Sequence, residues 1–156
     1  MPRWRISKSA EWTAFSDIGR SWGGVVLTRD AYLAVESAYA DTVVRFLTEV
    51  GNPPLFAKDV DVPMSRSSTV APASEGVLEQ DPAEGDSVKS SDVPGLVRAC
   101  LRGQIECRLE SADRAVRIGF GYNYYLFIGA AVPCPNTVAS AVARGLLVEP
   151  MPPEDD

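Results

Sequence analysis

The strongest constraint on the fold of this chain is a period of two between positions 105 and 120. Apolar side chains occupy every second position, with charged or small residues between them, in the runs Ile105–Glu110 and Val116–Phe120. Asp113 and its neighbours separate the two runs and favour a turn. Such alternation is typical of strands with one buried and one solvated side. We therefore predict an antiparallel hairpin with one wet face.

The longest predicted helix spans residues 29–50. Apolar residues recur at helical spacing from Tyr32 to Val50, with charged residues between them. Thr28 can cap the first turn, and Asp30 lies near the positive end of the helix dipole. Gly51, followed by asparagine and two prolines, ends the helix. At 1.5 Å per residue the helix would be about 33 Å long.

The other predicted elements are short. We expect strands at 25–27, 122–128 and 146–148, and helices at 94–101 and 133–144. All three tryptophans lie in residues 1–27, which we expect to close one end of the core. The assembled prediction is an α+β fold, with an antiparallel sheet of four or five strands and helices packed on one face.

The length of 156 residues suits a single domain, 1–156. Residues 64–94 are rich in Ser, Pro and acids and have few large apolar side chains, so we predict a long flexible insertion there. A second flexible, acidic segment is predicted at 150–156. The excess of acids that gives the chain its net charge of −6 lies in these two segments, and the remainder is close to neutral. The remainder shows no clustered basic stripe, which argues against a nucleic-acid partner.

Three features of the sequence indicate the cellular compartment. The three cysteines are odd in number, which suits free thiols in a reducing compartment. The N-terminus has no apolar run of the signal-peptide kind. No stretch reaches the roughly 18 apolar residues of a membrane-spanning helix. We therefore expect a cytoplasmic protein without a membrane partner.

The chain contains no histidine, which removes the usual base of nucleophilic catalysis and most zinc sites. Residues 19–23 match the Gly-x-Ser-x-Gly nucleophile motif by letter, but no histidine can serve the serine. Cys134, at a predicted helix start, is either a thiol activated by the helix dipole or a structural side chain, and we favour the second. We predict no cofactor, no metal and no catalytic residue.

The aromatic run from Phe120 to Phe127 is the most informative stretch. Alternation in an extended strand would send Tyr122 and Tyr124 to one face, and Tyr125 and Phe127 to the other. One face must cover the core. The other either displays its rings as an interface, where tyrosine is favoured, or is covered by a helix.

This stretch, with the segment Gly145–Pro150, resembles the C-terminal half of bacterial immunity proteins that block polymorphic or contact-dependent toxins by direct binding. The family pattern is a strand reading roughly F-G-Y-D-Y-Y-M-Y-I, a helix, and then G-L-F-V-E. Here Asn123 stands where Asp is usual, and the tail lacks the family's S-P-Y ending. The resemblance covers residues 120–150 and implies a cytoplasmic antidote without enzymatic activity.

The resulting hypothesis is a binding protein that neutralises a cognate toxin. Tyr122, Tyr125 and Phe127 would supply affinity. Specificity would come from basic toxin groups pairing with three acids: Glu106, Glu110 and Asp113. Two alternatives stay open: an assembly or scaffold protein of a phage or secretion apparatus, and a small enzyme that uses carboxylates or a cysteine.

Overall fold

The chain folds into a broad antiparallel sheet with helices against one side. The structure is a computed structural model that describes residues 1–63, 76–78 and 80–152. In those residues, strands β1 to β9 are Arg3–Ser7, Ser21–Trp22, Val25–Val26, Leu55–Asp61, Ser87–Val88, Glu106–Ser111, Val116–Gly121, Tyr125–Ala130 and Leu147–Met151. Helices α1 to α3 are Arg29–Glu49, Val93–Leu101 and Pro135–Ala143.

Seven strands form the main sheet, in the order β5-β4-β6-β7-β8-β1-β9, and each neighbouring pair is antiparallel. β2 and β3 form a separate two-stranded hairpin. A buried row crosses the middle of the sheet, where Leu109 pairs with Ile118 and Ile118 with Ile128. The predicted α+β fold is confirmed, although the described sheet is wider than the expected four or five strands.

Helix α1 confirms the prediction for 29–50 closely. The Thr28 hydroxyl accepts a hydrogen bond from the Ala31 N–H at 3.1 Å, and Gly51 takes the left-handed conformation that ends the helix (φ 93°). Tyr32, Tyr39 and Phe46 are fully buried on its inner side. The helix therefore supplies the aromatic half of the core beneath β8.

A buried carboxylate joins α1 to α2. Glu36 is fully buried, and its two oxygens accept hydrogen bonds from Arg98 (Nη1, 2.8 Å) and from Arg102 (Nε and Nη2, both 2.8 Å). A buried charge is tolerated only when it is paired and hydrogen-bonded in this way. Removing one partner would strand a charge in the core, so this contact fixes α2 against α1.

A second carboxylate from α1 caps α3. The Glu49 oxygens accept hydrogen bonds from the backbone N–H groups of Asn136 (3.0 Å) and Thr137 (2.8 Å), and from the Thr137 hydroxyl (2.7 Å). Partial burial opposes ionisation of Glu49, but the hydrogen bonds from Thr137 and Asn136 outweigh it and lower the pKa of this carboxyl. Cys134 occupies the N-cap position and makes no capping bond there.

The N-terminal segment departs from the prediction. Residues 3–7 form β1, which lies between β8 and β9 in the sheet. Trp12 is buried in the core as expected, and Trp4 and Trp22 are half-buried against it. The alternation in Arg-Trp-Arg-Ile-Ser is that of a strand, but so short a run carries little signal on its own. The sequence also does not predict β4, because a register shift between Lys58 and Asp61, with Asp59 at φ 54°, interrupts the alternation of its side chains.

Regular structure is present inside the predicted insertion at 64–94. Ser87 and Val88 pair with β4, and Val77 and Val88 are buried in the core. β9 likewise continues through Pro150 to Met151, where Met151 pairs with Arg3. An edge strand tolerates proline because no neighbour needs its missing N–H. The rest of the predicted flexible segments, residues 64–75, 79 and 153–156, lies outside the described residues.

We predict that Glu49→Gln lowers the free energy of unfolding by about 1 kcal/mol at neutral pH, the usual value of a helix cap. Because the folded-state pKa is lowered, the cap contributes above the unfolded-state pKa, near 4.5, and its contribution is lost as the pH falls through the folded-state value. Denaturant titrations of both proteins below pH 4.5 should therefore converge. Glu11→Gln, at an exposed site, is the control. The account would be contradicted if the Glu49→Gln difference in free energy of unfolding stayed constant as the pH falls, or if Glu11→Gln had an equal effect.

Candidate protein-interaction surface

The side of the sheet opposite the helices is here called the open face. In β8, Leu126, Ile128 and Ala130 are buried beneath the helices, whereas Tyr125 and Phe127 point the other way and stay half-exposed. The pairing of Phe127 with Arg5 in β1 extends this division to the neighbouring strand. Across the sheet, strands β6, β7, β8, β1 and β9 contribute to the open face, in that order, Arg108, Arg117, Phe127, Arg5 and Glu149.

Aromatic and guanidinium groups interlock at the centre of this face. The rings of Tyr125 and Phe127 meet edge to face, with centroids 6.4 Å apart. The Arg5 guanidinium lies 4.6 Å from the centre of the Tyr125 ring and also donates to Glu149 at 2.7 Å. Such cation–π and ion-pair contacts hold long side chains in place. The sequence predicted Tyr125 and Phe127 for this surface, but not Arg5.

Glycines shape a hollow beside these rings. On β7 and β8, Gly121 faces Tyr125, Gly119 faces Phe127, and Arg117 faces Gly129. A Cβ at Gly121 would come within 2.7 Å of the Phe127 ring, so that ring covers Gly121. A Cβ at Gly119 would meet nothing within 4 Å. Gly119 therefore lies in a hollow of about 550 Å³, here called the face groove, whose walls include Phe127, Arg108 and Glu106.

The prediction that residues 122–128 form one extended strand is wrong at its start. Tyr122–Tyr124 form a tight 3₁₀ turn, and β8 begins only at Tyr125. Asn123 (φ 61°) and Tyr124 (φ 66°) both take the left-handed conformation, which is strained for any side chain other than glycine. As a result Tyr122 and Tyr124 do not share a face: Tyr122 is 92% exposed, whereas Tyr124 is buried.

Buried aromatic contacts hold the strained turn. The Tyr124 ring packs against Trp12, Tyr32 and Tyr39, with centroids 4.9 to 5.8 Å apart. The Tyr39 hydroxyl donates to the Tyr124 carbonyl, and the Tyr124 hydroxyl donates to the Tyr32 hydroxyl, both at 2.9 Å. Burial raises the pKa of all three tyrosines, so they stay neutral. We call Trp12, Tyr32, Tyr39 and Tyr124 the aromatic cluster.

A second hollow, of about 470 Å³, opens where the turn meets the end of the sheet. We call it the end pocket. Its lining includes Phe15, Arg102, Tyr122, Tyr125 and Cys107. Arg102 is held beneath Phe15, with its guanidinium carbon 4.6 Å from the ring centre. Aromatic rings thus form much of the wall of the end pocket.

Glu106 lines both the end pocket and the face groove. Its side chain is exposed at the start of β6, and among the described residues it makes no ion pair. The structure therefore brings four of the sequence-predicted site residues together: Tyr122, Tyr125, Phe127 and Glu106.

The two other predicted acids lie elsewhere and are already engaged. Glu110, about 14 Å farther along β6 at ~3.4 Å per residue, is 7% exposed and pairs with Arg108 (2.8 Å) and Arg114 (3.8 Å). Asp113 belongs to the β6–β7 turn. There the Ser111 hydroxyl (2.6 Å) and the Ala115 N–H (3.0 Å) donate to its carboxylate, and those bonds lower its pKa.

The alternative thiol and serine sites take structural positions. Burial raises the pKa of Cys134 to about 11, the opposite of activation by the helix dipole, and the side chain is almost fully enclosed. Ser21 begins the small β2–β3 hairpin rather than a strand-to-helix turn. Within 1–63, 76–78 and 80–152, no three His, Cys, Asp or Glu side chains group so that they could hold a metal ion.

Comparison with known proteins returns no family model, no curated protein and no solved structure that matches the chain. In the part of the chain that the structure describes, no helix is both long and apolar enough to cross a membrane.

We predict that Gly121→Ala destabilises the protein by about 1 kcal/mol, because the new methyl group must displace the Phe127 ring. Gly119→Ala is the matched control, since it lies on the same strand and face with open space above it, and should change stability by less than about 0.5 kcal/mol. Chemical denaturation measures both. Equal effects of the two substitutions would show that Phe127 does not pack over Gly121.

Proposed function

We propose that this chain is a non-enzymatic immunity protein that neutralises a cognate bacterial toxin by binding it across the end of the open face. The observation that carries the proposal is the position of Glu106, an exposed carboxylate without an ion pair among the described residues, between two hollows with aromatic walls. The resemblance of residues 120–150 to toxin-blocking immunity proteins supports the same function.

The aromatic side chains fit the role of anchors. Tyr122 is 92% exposed, so almost its whole ring is available for burial in a partner. Large, rigid, amphipathic rings dominate binding energy at protein interfaces, where truncating one commonly costs about 2 kcal/mol or more. Because the aromatic cluster fixes the turn below it, Tyr122 loses little backbone freedom on binding.

The charges on the open face favour a basic contact at Glu106. Arg5 already pairs with Glu149 at 2.7 Å, and Arg108 pairs with Asp59 (2.6 Å) and Glu110 (2.8 Å). Those pairs leave Glu106, with the exposed Asp61 opposite it on β4, able to accept a lysine or arginine from a partner. A charge-assisted hydrogen bond of that kind directs orientation and partner choice. Glu110 contributes to the site by holding Arg108.

The proposal places the protein in the bacterial cytoplasm, where a toxin would meet it. The three cysteines are free thiols in the structure, as a reducing compartment allows.

The direct test is co-expression with the product of the neighbouring upstream gene. We expect that product to arrest growth when expressed alone, and this chain to restore growth and to co-purify with it at a fixed stoichiometry. An upstream product that forms no complex with this chain, together with unrescued growth, would refute the proposal.

Two single substitutions test the surface itself. Tyr122→Ala should weaken the complex at least tenfold, or about 1.4 kcal/mol, while leaving the free energy of unfolding nearly unchanged, because the ring is exposed. Glu106→Gln should weaken the complex by a similar factor and reduce the salt dependence of binding. Calorimetric titration with the purified partner measures both effects.

The matched controls lie in the helix layer. Val142→Ala truncates another exposed apolar side chain, and Asp30→Asn removes a negative charge from the exposed start of α1. Both should leave affinity within about twofold of the unmodified chain. If the controls weakened binding as much as Tyr122→Ala and Glu106→Gln, the interface would lie on the helices.

A further inference from the structure

Two thiols meet in the wall of the end pocket. Cys100 lies in the last turn of α2 and Cys107 in β6, and their sulfur atoms are 3.6 Å apart. A disulfide requires about 2.05 Å between sulfurs, so the two atoms must approach by about 1.5 Å, through side-chain rotation together with a small movement of β6 toward α2. The intervening chain turns at Gly103, where φ is 74°.

The surroundings of the pair differ from those of the third cysteine. Cys100 and Cys107 both line the end pocket, and Cys100 is only half-buried there, so a small molecule that enters the pocket reaches the pair. Cys134 is nearly inaccessible at the start of α3, and burial raises its pKa to about 11. The chain therefore carries its own internal control for thiol reactivity.

Either sulfur can be the donor in the contact between the two thiols. When Cys107 ionises, the Cys100 S–H donates to its thiolate, and that hydrogen bond lowers the pKa of Cys107 and raises that of Cys100. Burial and the nearby carboxylates of Asp81 and Glu84 act against ionisation of Cys107. The hydrogen bond from the neighbouring thiol outweighs them, so Cys107 is the member of the pair that forms the thiolate more readily.

We propose that Cys100 and Cys107 form an oxidation site that a small hydroperoxide converts into an intramolecular disulfide. The Cys107 thiolate attacks the distal oxygen of the peroxide, the O–O bond breaks, and Cys107 becomes a sulfenic acid as hydroxide or alkoxide leaves. Cys100 then attacks that sulfur, the S–O bond breaks, and water leaves as the S–S bond forms. With hydrogen peroxide, the two thiols and one peroxide yield one disulfide and two waters.

Oxidation would act on the partner-binding surface, a consequence that rests on the proposed function. Glu106 precedes Cys107 directly, and both residues line the end pocket. Drawing β6 toward α2 would move the Glu106 carboxylate and narrow the pocket beside Tyr122. The oxidised chain should therefore bind its toxin at least tenfold more weakly than the reduced chain.

The site can be tested without any partner. The full-length reduced chain is treated with hydrogen peroxide, its remaining thiols are alkylated under denaturing conditions, and it is digested with trypsin. Cleavage follows Arg102, so the disulfide appears as peptide 99–102 joined to peptide 103–108. We expect this link to form with loss of two of the three free thiols, Cys134 to be alkylated in full, and dithiothreitol to reverse the change.

Variants separate the proposed steps. Cys134→Ser should leave the link intact, whereas Cys100→Ser should prevent it and leave a Cys107 sulfenic acid that dimedone traps. Three thiols that survive peroxide in the unmodified chain, or a link between chains or to Cys134, would overturn the proposal. If neither redox form binds the toxin, the proposed function fails, and the peptide map still decides the oxidation site.

Discussion

The hydrogen bond from the Tyr39 hydroxyl to the Tyr124 carbonyl holds the strained turn Tyr122–Tyr124 in place. The position of Tyr122 on the protein surface depends on that turn. Two consecutive side-chain-bearing residues with positive φ are strained by roughly 1–3 kcal/mol each, and such a turn persists only where its surroundings determine it fully. Here the Tyr124 ring is buried against three aromatic neighbours and its carbonyl is satisfied by a buried hydroxyl. Packing therefore stabilises a backbone conformation that places Tyr122 outside, at the rim of the end pocket.

Within the described residues, the open face combines paired charges with the exposed Glu106, which makes no ion pair. Arg5 is held by the Tyr125 ring and by Glu149, and Arg108 is held by Glu110, so these charges are internally balanced. Glycines on β7 keep part of the face hollow, and Glu106 stands where the two hollows meet. Such a surface can accept a projecting basic side chain flanked by apolar contacts, since rings supply burial and the carboxylate supplies orientation.

The sequence predicts what depends on local pattern. Cap, period and terminating glycine locate α1, and strict alternation locates β6 and β7. The face groove could not be predicted, because it depends on which residue of β8 faces Gly119, and register is a property of the pair. Likewise, the pattern around Glu110 does not reveal that Arg114 folds back onto it. The positive φ at Asn123 also leaves no periodic signal in the sequence, so alternation alone predicts, wrongly, that Tyr122 and Tyr124 lie on the same side.

Side-chain footprinting of the complex tests the central claim most directly, namely that a protein partner binds the end of the open face. Hydroxyl radicals would label the chain alone and bound to the upstream gene product, with modification read residue by residue. We predict that Tyr122, Tyr125 and Phe127 lose most of their labelling in the complex, while Val142 on α3 keeps its own. Protection confined to the helix layer, with Tyr122 labelled as fully as in the free chain, would contradict the account.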